Sequence, residues 1–343
     1  MTKERKRVLS CIQPTSEMHI GNYFGAVANW VAMQEDYDCI YGVVDLHAMT
    51  MPYQPRELRN NTERMVIELM ACGIDPQKSI IFIQSLVPEH TELSWIFNCI
   101  SPFGELTRMT QFKDKREMIE AKAKPDQFVS TGIFTYPVLQ AADILIYRAN
   151  YVPVGKDQEQ HLELSRNIAE RFNKWFGEYF PVPAPKFTPV PKIMSTADPT
   201  KKMSKSLGEK HYIGLFEDEN SLRKKIMSAV TDAGPATLPP GVSMSTGTEN
   251  LFEILKACGR DEQATALLTA YKEKSLKYVD LKNAVVEALI ELTSRLKARK
   301  AEIESNKQDL WKQIYEMSAK AREIASETMR EVRKRVGLPP HSL

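Results

Sequence analysis

Four short apolar runs, Val8–Ile12, Cys39–Val44, Ser79–Gln84 and Val152–Val154, are spaced by segments long enough to be helices. A strand whose chain returns through a helix lies parallel to the strand before it, so this alternation predicts a doubly wound, Rossmann-like α/β fold around a parallel sheet. The intervening patterns predict helices over Tyr23–Gln34, Pro55–Cys72 and Thr91–Ile100, with another over Gln158–Phe176 after the fourth run. In that last segment Leu162, Ser165, Ala169 and Phe172 share one face, while Glu163, Arg166 and Glu170 fall on or near the other, as the 3.6-residue period requires of a helix with one buried side.

The alternation stops at Pro181–Pro199, where six prolines leave neither a helix nor a good central strand, and a connecting stretch is expected. A lysine-rich loop follows, then a helical pattern at Ser221–Val230, a Gly/Pro/Ser-rich link from Gly234 to Gly247, and almost unbroken helical patterns to Val336. At roughly 100–200 residues per domain, 343 residues suggest an α/β domain over 1–214 and an all-helical domain over 215–343.

The formal charge is only +2, but it is sorted along the chain. The first seven residues carry +3 and the stretch from Arg295 to Leu343 carries +5, with twelve Lys/Arg against seven Asp/Glu, which leaves about −6 between them. Basic ends suit a polyanionic partner, although a solvated helical surface would look similar. Cys11, Cys39, Cys72, Cys99 and Cys258 form neither a disulfide frame nor a zinc-knuckle spacing, and a reducing, cytoplasmic setting is expected. Neither a signal peptide nor a membrane span is predicted.

Two segments carry the chemistry. Ile12-Gln13-Pro14-Thr15-Ser16-Glu17-Met18-His19-Ile20-Gly21-Asn22-Tyr23 joins the first strand to the first helix. At such a junction the sheet opens into a crevice and the helix N-terminus offers unpaired N–H groups to an anion. Gly21 permits close approach, and His19 and Asn22 can donate to phosphate oxygens; a helix-start turn with a packed histidine is the alternative. Lys201-Lys202-Met203-Ser204-Lys205-Ser206 places three lysines in five residues of a loop that burial does not fix, able to reach nucleotide phosphates and to move during a reaction. Neither a Gly-x-x-x-x-Gly-Lys-Ser/Thr loop nor a Gly-x-Gly-x-x-Gly turn is present, which argues against the usual ATPase and dinucleotide sites.

The pair His19-Ile20-Gly21-Asn22 and Lys202-Met203-Ser204-Lys205-Ser206 resembles the two signatures of class I aminoacyl-tRNA synthetases. Nearly the whole chain resembles the bacterial or organellar tryptophanyl type, with matching stretches at Gly42–Ala48, Arg108–Lys113, Thr135–Asp143 and Val152–His161. The resemblance implies ATP-dependent activation of L-tryptophan to tryptophanyl-adenylate, release of pyrophosphate, and transfer to tRNA(Trp). It places Thr15, His19, Gly21 and Asn22 at the ATP phosphates and Gln13 near the α-phosphate. Lys202 and Lys205 would stabilise the leaving pyrophosphate with Ser204 beside them and help from Lys115. Gly155 and Asp157 match ribose-binding positions, and Ile193 and Met203 positions near adenine. Magnesium would arrive on the ATP phosphates rather than on protein ligands. For the amino acid, Asp143 would accept the indole N–H, Tyr136 and Gln158 would meet the ammonium group, and His47 and Gln140 would line the pocket.

The helical domain is implied to meet the anticodon, with Lys297, Lys300 and Arg333 available for phosphates. The family is a homodimer; an insertion over about 74–135, apolar from Ile74 to Phe112, is the candidate interface, with ordinary core as the other reading. No membrane or DNA partner is implied. Two positions depart from the pattern: Gln140 stands where methionine is common, which leaves a tyrosine-specific enzyme as runner-up, and Lys156 stands where an acidic residue is common. Asp143 could instead cap a helix or pair near Arg148. Outside the class, a synthetase-like RNA-binding regulator or a small-molecule adenylyl transferase are the competing readings.

Overall fold

The computed structural model describes residues 5–109, 128–153, 155, 159–187, 191–234, 238–239 and 241–340. Five parallel strands, β1 (Arg7–Ile12), β2 (Asp38–Val43), β3 (Ser79–Ile83), β4 (Tyr151–Pro153) and β5 (Ala184–Lys186), lie in the order β3-β2-β1-β4-β5. The chain winds outward from β1 to β3 and then returns to the other side of β1. The strand order therefore reverses between β1 and β4, which opens a crevice at their carboxyl ends.

The helices are α1 (Ile20–Asn22), α2 (Ala28–Met33), α3 (Asp45–Ala48), α4 (Pro55–Cys72), α5 (Glu89–Ile100), α6 (Phe103–Thr107), α7 (Thr131–Ile146) and α8 (Glu159–Phe176). After the strands come α9 (Glu219–Met227), α10 (Thr246–Ala257), α11 (Asp261–Lys272), α12 (Tyr278–Ser305) and α13 (Lys307–Val336). The expected helix over Tyr23–Gln34 is interrupted: α1 and α2 are joined by a π-turn at Tyr23–Val27. The predicted face of α8 is the buried one, with Leu162, Ser165, Ala169 and Phe172 all inside.

Alternating strand residues feed two cores, one on each side of the sheet. Val8, Cys39, Tyr41, Val43, Ile81 and Ile83 face α2, α4 and the C-terminal helices, whereas Leu9, Ile40 and Phe82 face α5, α7 and α8. In the middle of β2, Gly42 is required by space: a Cβ there would stand 2.7 Å from the Phe82 ring and 2.9 Å from Cys11 Sγ. The proline-rich stretch, expected only to connect, contributes β5. Pro185 pairs opposite Val152 on this outermost strand, where an absent N–H interrupts no inner ladder.

The other sheet edge is covered by the end of the chain. Helix α13 buries Leu310, Ile314 and Met317 in the first core and Ala321, Ala325, Met329 and Val332 in the second, crossing the β3 edge between them. The Ile83 N–H donates to Ser318 Oγ at 3.3 Å, and Glu89 on α5 holds Arg322 Nε at 2.9 Å and Ser326 Oγ at 2.8 Å. An open edge that would otherwise present unpaired backbone groups is thereby closed. No helix among the described residues is long and apolar enough to cross a membrane.

Candidate active site

The crevice between β1 and β4 contains a cavity of about 300 Å³, lined by Leu9–Ile12 from β1 and Gln13 just after it, Val152 and Pro153 from β4, and Val44, His47, Gln140, Asp143 and Ile144. Its volume is at the lower end of small-molecule sites. Four elements meet at one carboxylate: α7 delivers Asp143 itself, α3 delivers His47, the turn after β3 delivers Gln84 and α5 delivers His90.

Asp143 is almost wholly buried, so each of its lone pairs has to be accounted for. His47 Nε2 lies 2.7 Å from Oδ2, while Gln84 Nε2 donates to Oδ1 at 2.7 Å and His90 Nδ1 lies 2.6 Å from the same oxygen. With the carboxylate as acceptor, both histidine nitrogens carry their protons toward it. On its other side His90 Nε2 lies 2.8 Å from the Tyr147 hydroxyl, whose burial raises its pKa well above the ordinary value and keeps the proton on oxygen. Burial alone would raise the Asp143 pKa, but the charge and hydrogen bond of His47 and the hydrogen bond of His90 outweigh it, and the group stays below the ordinary carboxylate range. A carboxylate offers about four acceptor positions. Among the described residues three are taken, two on Oδ1 and one on Oδ2, and the fourth position, on Oδ2, has no partner there. Arg148, the alternative partner considered from sequence, instead lies 5.1 Å over the Tyr179 ring.

A second cavity of about 420 Å³ adjoins the first, and Ile12 and Gln13 line both. Its walls include Thr15, His19 and Asn22 from the first signature and Ser204, Lys205 and Ser206 from the second. His19 and Asn22 form a reciprocal cap. The Asn22 N–H donates to His19 Nδ1 at 3.3 Å, and the His19 N–H donates to Asn22 Oδ1 at 3.2 Å. This leaves His19 Nε2–H and the Asn22 amide NH₂ as donors. Burial, then Lys205 and Lys202, lower the His19 pKa to about 4, so the ring is neutral near pH 7. Gly21 has no space for a side chain, because a Cβ would stand 2.9 Å from His19 Nδ1.

The two signatures meet through backbone. Ile20 N–H donates to Ile213 O at 3.0 Å and Leu215 N–H to Met18 O at 2.8 Å, so the first signature pairs with the chain just beyond the lysine loop. Within that loop Met203 N–H donates to Ile193 O at 3.2 Å, and both side chains are buried. Lys205 Nζ sits 5.0 Å over the Tyr212 ring, and burial lowers its pKa. Lys202 is exposed at the head of the loop.

The structure thus gathers Gln13, Thr15, His19, Asn22, Ser204 and Lys205 around one cavity, and His47, Gln140 and Asp143 around the other. Tyr136 is buried beside them, its hydroxyl 3.0 Å from His161 Nε2 and its ring 6.3 Å from that of His47. Gly155 is exposed. Lys115, Asp157 and Gln158, and with them Lys156, lie outside the described residues. Of the basic residues expected to be available to phosphates, Lys300 is turned inward to Glu68, 3.5 Å away, and Arg333 pairs with Glu92 and donates to Pro339 O at 2.7 Å. Both offset buried or half-buried acids of the α/β part, which helix charge counting cannot reveal. Sequence reasoning misses Gln84, His90 and Tyr147; their only local signal is a polar side chain closing or following an apolar run.

The family described as "tRNA synthetases class I (W and Y)" matches residues 1–294. The chain belongs to this family. It is 44% identical over 348 residues to tryptophan–tRNA ligase 2 of Streptomyces avermitilis, with 99% of each chain covered. It is 42% identical to tryptophan–tRNA ligase of Caldanaerobacter subterraneus subsp. tengcongensis, covering 97% of this chain and 98% of that one. Among solved structures, tryptophanyl-tRNA synthetase of Campylobacter jejuni complexed with ADP and tryptophan is similar with a TM-score of 0.81 and 34% identity, over 97% of this chain and 100% of that one. For the Mycoplasma pneumoniae tryptophanyl-tRNA synthetase the TM-score is 0.85 at 34% identity, over 98% of each chain. In this synthetase the first signature follows β1 of the parallel sheet, the chain beyond the second signature pairs with it through backbone, and both signatures wall the cavity that adjoins the one at the carboxyl-end crevice.

Proposed function

We propose that the chain activates L-tryptophan with ATP and transfers it to tRNA(Trp), releasing pyrophosphate and then AMP. The observation that carries this reading is the pair of cavities meeting at Gln13, one holding the Asp143 carboxylate and the other walled by both signatures. In the first step a carboxylate oxygen of tryptophan attacks the α-phosphorus, and the bond from that phosphorus to the pyrophosphate oxygen breaks. No protein nucleophile is needed, so catalysis is alignment and charge stabilisation. Gln13, at the junction of the cavities, is suited to the α-phosphate. Neutral His19 and Asn22 offer N–H donors to the phosphates, with Thr15 in the same wall. Lys205, with Lys202 at the loop head and Lys115, takes up negative charge on the departing pyrophosphate. Magnesium carried by the phosphates would share that charge. In the second step a ribose hydroxyl at the tRNA terminus attacks the acyl carbonyl and AMP leaves.

The fourth acceptor position of Asp143 suits the indole N–H, and an amino acid without that donor would leave it unpaired, which discriminates strongly. Tyr136 and Gln158 are read as ammonium partners, Gly155 and Asp157 as ribose partners, and Ile193 and Met203 as neighbours of adenine. A homodimer is supported by Trp95, Phe103 and Phe128, which are 70%, 72% and 77% exposed in or beside the 74–135 segment. The C-terminal helical part, residues 215–343, whose basic stretch runs from Arg295 to the last residue, is read as the anticodon-binding side. The protein is read as acting in the cytoplasm.

Gln140 lines the amino-acid cavity and favours tyrosine as the second reading. Pyrophosphate exchange with tryptophan and with tyrosine, followed by charging of total tRNA, decides between them. Exchange with tryptophan and charging of one tRNA species are expected. Exchange with tyrosine alone would overturn the specificity, and exchange without charging would overturn the ligase assignment.

A further inference from the structure

Glu68 lies on α4, in the helical face that packs against the first signature, and none of its side chain is exposed. An acid there is costly unless it is paired. Its Oε2 accepts the Met18 N–H at 2.8 Å, immediately before His19. Oε1 faces Lys300 Nζ at 3.5 Å and Arg64 Nε at 3.9 Å. Lys300 belongs to α12, more than 200 residues further along the chain, and its ammonium also lies 4.5 Å over the Phe216 ring. Phe216 follows Leu215, whose N–H holds Met18 O. Met18 is therefore gripped at both backbone groups, by Glu68 on one side and by Leu215, on the chain beyond the second signature's loop, on the other, and Lys300 lies against both Glu68 and Phe216 next to Leu215.

We propose that Glu68 is a positioning residue for the nucleotide turn at His19–Asn22, and that Lys300 on the C-terminal helices sets how firmly it holds. The carboxylate fixes Met18 N–H, Met18 fixes the start of the His19–Asn22 cap, and the cap orients the donors that face the nucleotide. Lys300 supplies positive charge that favours the ionised form of this fully buried carboxylate against its burial, and so links the C-terminal helices to nucleotide binding. Burial raises the Glu68 pKa, opposed by the Met18 N–H, Lys300 and Arg64, while Glu17 raises it further. The other titratable groups turned toward it are Lys205, which feels Glu68, and the Cys72 thiol on its own helix, which Arg299 and Lys300 also reach. Removing Lys300 leaves Arg64 and, further off, Lys205 as compensating cations, and moves the protonation of Glu68 to higher pH.

The proposal rests on the nucleotide reading of the His19–Asn22 turn, and the test separates the two. Glu68→Gln, Lys300→Met, Lys300→Arg, the double variant Glu68→Gln/Lys300→Met and His19→Ala are assayed by ATP–pyrophosphate exchange between pH 5.5 and 8, with KM for ATP and for tryptophan measured separately. Lys300→Met is expected to raise the ATP KM about tenfold toward the acid end of that range, the size of one lost charge-assisted hydrogen bond, and to leave the tryptophan KM unchanged. Its acid limb moves to higher pH, and Lys300→Arg returns both properties toward wild type. Glu68→Gln keeps an oxygen for Met18 but has no charge to compensate, so adding Lys300→Met to it changes little. Additive effects in the double variant, equal losses for both substrates, or an unaltered ATP KM in Lys300→Met would overturn the link. An unaltered ATP KM in His19→Ala would overturn the nucleotide reading itself.

Discussion

Replacing Asp143 by Asn removes one acceptor oxygen from a site where three donors already converge. Gln84 cannot turn its amide to accommodate the change, because its Oε1 accepts the Leu46 N–H at 3.2 Å while its Nε2 serves Asp143. His90 is likewise held by Tyr147. The one oxygen of the introduced amide therefore stays with Gln84 and His90, and its NH₂ takes the place of Oδ2, where His47, with no carboxylate charge left to favour its charged form, can meet it as a neutral ring protonated on Nδ1. The substrate's indole N–H then faces a donor instead of a charged acceptor. A hydrogen bond to a charged group contributes about 1.5–3 kcal/mol, so kcat/KM for tryptophan should fall about 10–150-fold, with the ATP KM within about twofold of wild type. The control is benzothienylalanine, in which sulfur replaces the indole N–H. Wild type and variant should use it with nearly equal kcat/KM, because the lost bond was never available to it. An equal loss for tryptophan and benzothienylalanine would refute the acceptor role and mark the effect as damage to the cavity.

Two further outcomes follow from the same geometry. Lys205→Ala should lower the rate of adenylate formation on the order of 100-fold, while tryptophan binding measured at equilibrium changes little, since charge on the leaving group develops only along the reaction; matched losses in rate and binding would count against it. Asp232 accepts the Ser245 N–H at 3.2 Å, Thr248 Oγ1–H at 2.7 Å and the hydroxyls of Tyr271 and Tyr278, and these donors, against the effect of burial, hold its pKa well below the usual range. A carboxyl with a depressed folded pKa stabilises fully above its unfolded pKa of about 4 and loses that contribution as pH falls through the folded value. Asp232→Asn should therefore lower the urea midpoint at pH 7, and the gap from wild type should narrow as the solution is acidified below about pH 4; a gap independent of pH would refute the charge as its source.

Much of the sheet could be read from local pattern. The runs at Val8, Cys39, Ser79 and Val152 became strands within a residue or two at each end, because a buried parallel strand is a short apolar run whatever surrounds it. Helix α4 was bounded correctly by Pro55 and by the break after Cys72. Strand β5 was illegible because its prolines fit only on an edge, and edge position is a property of the assembled sheet. In the site, His19, Asn22, Ser204 and Lys205 could be singled out because their spacing within each loop is itself the signal. Glu68, Gln84 and His90 could not, since each is one polar residue on an otherwise ordinary helix or strand end.

What the chain determined by itself is therefore what neighbours in sequence control: period, turns and caps, and the two compact signatures. The tertiary structure alone decided which polar groups share a carboxylate and which cations are spent inward. Asp143 meets Gln84 and His90 across more than 50 residues, Glu68 meets Lys300 across more than 200, and Ser318 covers the edge of β3 at a similar separation. Such contacts leave no period or spacing behind, because only the winding of strands around β1 and the return of α13 across the sheet edge bring them within hydrogen-bond reach.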